Sequence, residues 1–156
     1  MRRVFIVVFL GMLMAGCVPL GTTTEGTSGP IAWHVTDLKS ASVPGEVRGT
    51  YSFTLVLKES QGTPITFTYR QDTIYASGLT TLQSVDQAIN LTLRPYEERR
   101  LPLTFSWGCV QEPCRNPGSV APLWVINLTG SNDNGKPVQA VIKIRLPPNP
   151  DTYRKP

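Results

Sequence analysis

Few residues in this 156-residue chain have types suited to chemistry. There is one histidine, His34, so any nucleophile–histidine arrangement has to use it. It lies in Ile31-Ala32-Trp33-His34-Val35-Thr36, an alternating run in which it takes the polar side. A surface position on a strand is expected, and a single residue carries none of the mutual geometry of a triad. Glu97 and Glu98 are adjacent carboxylates. Glycoside hydrolysis needs two carboxyl groups facing one another, whereas neighbours in a turn point apart, so these read as solvated turn residues. Gly-x-Ser-x-Gly, phosphate-loop and His-Glu-x-x-His patterns are absent from the sequence. Cys109 and Cys114 are spaced too widely for a Cys-x-x-Cys redox motif, and Pro113 abuts the second. Zinc would need two further ligands beside them. Asn132-Asp133-Asn134-Gly135 offers oxygens near a glycine, but calcium loops add acidic ligands that are missing here. A tight turn is expected instead, with Asn134 and Gly135 accepting positive φ. Asn127-Leu128-Thr129 matches a glycosylation triplet, a pattern common by chance. Neither metal nor cofactor is expected, and the chain reads as non-enzymatic. Trp33, Trp107 and Trp124 lie in strand-like stretches; core packing is expected for two of them. One left exposed beside Tyr96 or Tyr75 would make a candidate ligand platform.

The third cysteine, Cys17, has a different setting. Arg2 and Arg3 open the chain, Val4 to Met14 is apolar apart from Gly11, and Ala15-Gly16 precede the cysteine. That is the three-part plan of a secretory signal. The apolar run is well short of the ~20 residues that span a bilayer. Leu13-Met14-Ala15-Gly16-Cys17 resembles the lipobox of bacterial lipoproteins, with Met14 where leucine is usual. The resemblance implies a removed signal over 1–16 and lipidation of Cys17 as the first mature residue. It also implies a site in the cell envelope, held to the membrane through that lipid. Val18 stands where enterobacterial lipoproteins carry aspartate for inner-membrane retention. In a host with two membranes this implies the outer membrane, facing the periplasm. In an exported domain the remaining even pair, Cys109 and Cys114, is expected to form a disulfide. It closes a small loop, worth about 2–3 kcal/mol.

Removing the signal leaves 13 Lys+Arg against 11 Asp+Glu, a net charge of +2. The basic points at Arg94, Arg99-Arg100 and Arg154-Lys155 are diluted by Glu97 and Glu98. A nucleic-acid partner, which needs a clustered basic face, is not expected.

Those residues must be positioned by the rest of the chain. Residues 17–30, rich in small and polar types, read as a flexible tether. From Ile31 the pattern turns to period two. Strands are expected over Ile31–Thr36, Val47–Lys58, Ile65–Arg70, a short stretch at Asp72–Ala76, Asn90–Leu93, Arg99–Trp107, Leu123–Leu128 and Val138–Leu146. Val47–Lys58 and Ile65–Arg70 read as a hairpin across Ser60-Gln61-Gly62-Thr63. In the second of these, Ile65, Phe67 and Tyr69 share a face opposite Thr66, Thr68 and Arg70. Ser77–Gln87 reads as a loop. Pro102 marks an edge strand or a bulge. Residues 148–156 form a polar tail, leaving 31–147 as one domain of the usual size.

Seven or eight short strands and no long helix predict an antiparallel, immunoglobulin-like β-sandwich, with a small β-barrel as the alternative. Asn90 to Phe105 carries a strand, then Leu-Arg-Pro-Tyr-Glu-Glu, then a strand. It resembles the strand, Pro-Gly-Glu, strand corner of bacterial immunoglobulin-like and fibronectin-like domains, with Tyr96 in place of glycine. That resemblance implies a binding or structural module, with no site carried over. Because the sequence shows no catalytic constellation, the expected role is binding an envelope protein partner, or alternatively a carbohydrate or small ligand. Intact-mass analysis of membrane-extracted protein tests the address. The expected mature chain starts at an acylated Cys17 and lacks two hydrogens at Cys109 and Cys114; an unmodified or full-length mass rejects it.

Overall fold

The computed structural model describes residues 23–42, 48–75, 81–108 and 122–147. They form eight strands: β1 (Glu25–Ser28), β2 (Ile31–Ser42), β3 (Arg48–Glu59), β4 (Ile65–Tyr75), β5 (Thr81–Leu93), β6 (Glu98–Gly108), β7 (Leu123–Asn132) and β8 (Pro137–Arg145). Two four-stranded antiparallel sheets result, in the orders β1-β2-β3-β6 and β5-β4-β7-β8. The sheets do not close on one another, so the architecture is the expected sandwich and not the barrel.

Alternation produces the layers. Tyr51, Phe53, Leu55 and Leu57 of β3 are buried, as are Trp124, Ile126 and Leu128 of β7 and Ala140, Ile142 and Ile144 of β8. The β7–β8 register sets Trp124 beside Ile144 and Ile126 beside Ile142, so each core row is continuous across strands. Trp124 reaches the opposite sheet, meeting Phe53 edge-on at 5.2 Å between centroids and Phe105 at 5.8 Å. Each fully buried side chain of this size contributes roughly 1.5–3 kcal/mol.

Four expectations are corrected. The tether is shorter than residues 17–30, because Glu25–Ser28 pairs with β2 and Thr23 bridges to Arg145. Strand β1 has no apolar alternation to announce it. Instead Gly26 lies against the Trp33 indole, where a Cβ would come within 2.9 Å of the ring. Ser28 Oγ accepts the Val141 N–H at 2.7 Å. The folded domain therefore begins by Thr23, not Ile31. Second, Ile65–Arg70 and the described part of the expected Asp72–Ala76 strand, Asp72–Tyr75, are not separate strands but parts of β4; Ala76 lies outside the described residues. Third, Thr81–Gln87 is strand, not loop; its described side chains are exposed on both faces, so burial imposes no period of two. Fourth, β3 and β4 form no hairpin, since they belong to opposite sheets.

The reason for that crossover is Glu59, the last residue of β3, which is fully buried. Its Oε1 accepts the Gln61 N–H at 2.7 Å, and Oε2 accepts those of Gly62 at 2.8 Å and Tyr96 at 3.0 Å. One carboxylate thus caps both the turn leaving β3 and the corner between β5 and β6. Tyr96 holds φ at +60° in the glycine position of that corner, at a strain cost of about 1–2 kcal/mol. Its N–H bond to Glu59 offsets the cost, and its phenol lies over Gly62, where a Cβ would be 2.7 Å from the hydroxyl. Burial pushes the Glu59 pKa up. The N–H groups of Tyr96, Gln61, Gly62 and Thr63 outweigh that and hold it below its ordinary value. The carboxylate is therefore more acidic in the folded than in the unfolded chain. Its stabilisation is complete above the unfolded pKa and is lost as pH falls through the folded one. Urea denaturation at stepped pH should show the midpoint falling below about pH 4. Glu59→Gln should lose roughly 2–3 kcal/mol at neutral pH and flatten that acid limb. An unchanged acid limb in the variant would remove Glu59 from this role.

Candidate functional site

The two long sides of the sandwich differ. On one, β1 spans to β8 through the Thr23–Arg145 bridge and the Ser28–Val141 bond. On the other, no hydrogen-bonded pairing joins β5 to β6 among the described residues. Leu93, next to the corner, is fully buried, whereas the described side chains from Thr81 to Ala88 are all exposed.

A β-bulge sets what faces that open side. Phe67 pairs with Gly130 and Tyr69 with Thr129, so Thr68 is an extra residue on β4. Only glycine fits opposite it: a Cβ on Gly130 would overlap the Thr66 carbonyl and lie 2.6 Å from Phe67 Cα. The extra residue reverses the alternation. Tyr69, expected inside with Ile65 and Phe67, is 41% exposed. Partial burial and the Asp86 carboxylate, which accepts its hydrogen bond, raise its pKa. Arg70, expected outside, turns inward with Asp72 and Ile74.

These inward residues form a polar anchor in a cleft of mixed polar and apolar lining. Asp72 is buried. Its Oδ1 accepts Arg70 Nε at 3.1 Å and Trp124 Nε1 at 3.1 Å, and its Oδ2 lies 2.8 Å from Arg70 Nη2. This is a forked, charge-assisted pair. The logic is sequential. Trp124 is placed in the core by its area, its N–H then requires an acceptor, and the acceptor's charge requires Arg70. Around them Gln83 and Val85 of β5, Leu103 and Phe105 of β6, and Trp124 enclose a cleft of about 290 Å³. A second hollow, lined by Glu25, Thr27, Ala32, His34, Lys58 and Glu98, is an open depression on the outer face of the other sheet. It contains no buried charge.

The sequence-derived candidates distribute as follows. Trp33 and Trp124 are 6% and 3% exposed and offer no stacking face, which matches core packing for two of the three tryptophans. The Trp107 backbone lies in β6, and its side chain, like Cys17, Cys109 and Cys114, lies outside the described residues. Tyr96 is 65% exposed, at the corner. His34 is exposed on an outer face, between Glu25 and Val56 in register. Glu97 accepts the Arg94 N–H at 2.7 Å and pairs with Arg99 at 2.9 Å, while Glu98 meets Arg100 at 3.5 Å. Asn132 Oδ1 closes its turn by accepting the N–H groups of Asn134 and Lys136. Gly135, and not Asn134, takes the positive φ there. Among the described residues no group of His, Cys, Asp and Glu could hold a metal ion. Arg70, Asp72 and Val85 were missed as site residues. The available signal was Gly130, a glycine closing an apolar run where a bulge or close approach is expected.

Asp72→Asn strips the buried guanidinium of its counter-charge. It should cost about 3 kcal/mol, read as a lowered urea midpoint, with Trp124 emission shifted to the red. A midpoint within about 0.5 kcal/mol of wild type would show the pair to be dispensable.

No protein-family model matches the chain, and no curated protein matches it. Among solved structures, Northeast Structural Genomics Consortium target SoR45 superposes with a TM-score of 0.59 at 14% identity, covering 82% of this chain and 94% of that one. A Bordetella pertussis protein given the provisional name ApaA superposes with a TM-score of 0.57 at 14% identity, covering 83% of this chain and all of its own. At such identity the likeness is one of fold alone: this chain shares its β-sandwich with both.

Proposed function

We propose that this chain is a lipid-anchored, non-catalytic cell-envelope protein whose sandwich holds a protein partner along β5. One observation carries the binding part. β5 is a 13-residue edge strand whose described side chains from Thr81 to Ala88 are exposed on both faces. Edge strands offer a row of backbone donors and acceptors, and proteins blunt them with charged side chains, above all lysine, with proline or with bulges. The opposite edge, β6, carries Arg99, Arg100 and Pro102, whereas β5 has no lysine, arginine or proline and Asp86 as its one charge. An edge left open while its neighbour is protected suits strand addition by another chain. The anchor part rests on Leu13–Cys17 and its lipobox resemblance, with the outer membrane as the site favoured by Val18. The carbohydrate reading now rests on Trp107 and Tyr96 alone, since Trp33 and Trp124 are buried.

Crosslinking from β5 in detergent-solubilised envelopes tests this reading. One stoichiometric adduct is expected for the wild-type chain. Val85→Lys with Ala88→Lys should abolish it while shifting stability by less than about 0.5 kcal/mol, as exposed substitutions usually do. An adduct indifferent to both lysines rejects β5 as the interface.

A further inference from the structure

Resting on that reading of β5, we infer that the partner contributes an extended segment with an acidic side chain, whose carboxylate binds the spare face of the Arg70 guanidinium inside the β5–β6 cleft. The cleft's hydrogen-bonding balance identifies the class of ligand. Both Asp72 oxygens are occupied, by Arg70 and Trp124. Arg70 uses Nε and one Nη2 donor on Asp72 and has no other partner among the described residues. Nη1 is therefore unspent on a side chain only 12% exposed. A guanidinium has donors and no acceptor. The unmet demand in the cleft is thus for an acceptor, and a carboxylate meets it best in a partly dehydrated setting. No unpaired carboxylate of the cleft opposes it, because Asp72 is consumed.

The shape of the site selects an extended peptide. Arg70 pairs with Gln87, Asp72 with Val85 and Ile74 with Gln83, so these three β5 residues share the cleft-facing side. A strand added to the β5 edge would place alternate residues on that side. One would lie level with Gln87 and Arg70. The next would lie level with Val85, which is 40% exposed against Leu103 and Phe105. A segment added antiparallel to β5 therefore reads acidic, then any residue, then apolar. Gln87 is the middle residue of β5, with strand continuing on both sides. That position favours a side-chain carboxylate over a chain terminus.

The test uses full-length protein extracted in detergent and fluorescent peptides of about ten residues with alternating Val and Thr. The central cleft-facing position is Glu, Gln or Lys. Fluorescence anisotropy should show the Glu peptide binding roughly tenfold tighter than the Gln peptide, the scale of one charge-assisted bond, and the Lys peptide weakest. Arg70→Lys keeps a cation beside Asp72 and should erase the preference for Glu. N-methylation of the peptide should abolish binding on one set of alternate residues and be silent on the other, a result that does not depend on any variant folding. Equal binding of the Glu and Gln peptides overturns the carboxylate inference and leaves the β5 interface standing. Equal effects of both N-methylated sets, or no peptide bound, overturn strand addition itself. Concentration-dependent dimers that Val85→Lys disperses would assign the edge to a second copy and also overturn the inference.

Discussion

The Glu59 carboxylate is the interaction on which the arrangement of the two sheets depends. A carboxylate at the buried end of a strand is costly unless its lone pairs are filled. Here they are filled by backbone donors from two connections distant in sequence, 61–63 and 96. The satisfaction of one charge therefore fixes where the chain leaves the first sheet after β3 and where it returns after β5. A hairpin between β3 and β4 would leave that carboxylate without the Tyr96 donor. The strained φ of Tyr96 is tolerated for the same reason, since the residue is held from both its N–H and its ring.

A second polar group plays a comparable part within the core. Asp72 answers the Trp124 N–H, and Arg70 answers Asp72. Neither would face inward without the extra residue at Thr68, and that bulge needs the missing side chain of Gly130. Core packing, backbone sterics and charge pairing thus determine a site jointly. Breaking such a pair is costly even where replacing both partners by apolar residues is neutral, so once Trp124 calls for Asp72 the guanidinium has to stay.

How much was legible follows from these cases. Strands with one covered face, such as β3 and β8, were readable because burial imposes period two. The sandwich followed from their number and spacing. The first half of β5, Thr81–Gln87, was unreadable because its described side chains are exposed on both faces, and periodicity reports burial, not hydrogen bonding; its end, Asn90–Leu93, where Leu93 is buried, was read. Strand β1 was missed for a related reason: it is four residues long and held by Gly26 and Ser28, neither of which marks a strand. The inward turn of Arg70 depended on a one-residue slip, which inverts every later side chain. The crossover at Glu59 depended on a partner 37 residues away. Local pattern contains neither.

The bridge between Thr23 and Arg145 has a mechanical consequence. The chain enters the domain there, at the end of the sandwich opposite the Glu59 corner, and β1 runs away from that entry point alongside β2. A pull on the amino terminus along the strand direction, away from the Glu59 corner, therefore acts along the β1 axis. The β1–β2 ladder and the Ser28–Val141 bond are then strained together in shear rather than peeled one at a time. Ladders loaded in this way yield at higher force than ladders unzipped from an end, so a strand of only four residues can transmit tension from the amino-terminal entry into the fold.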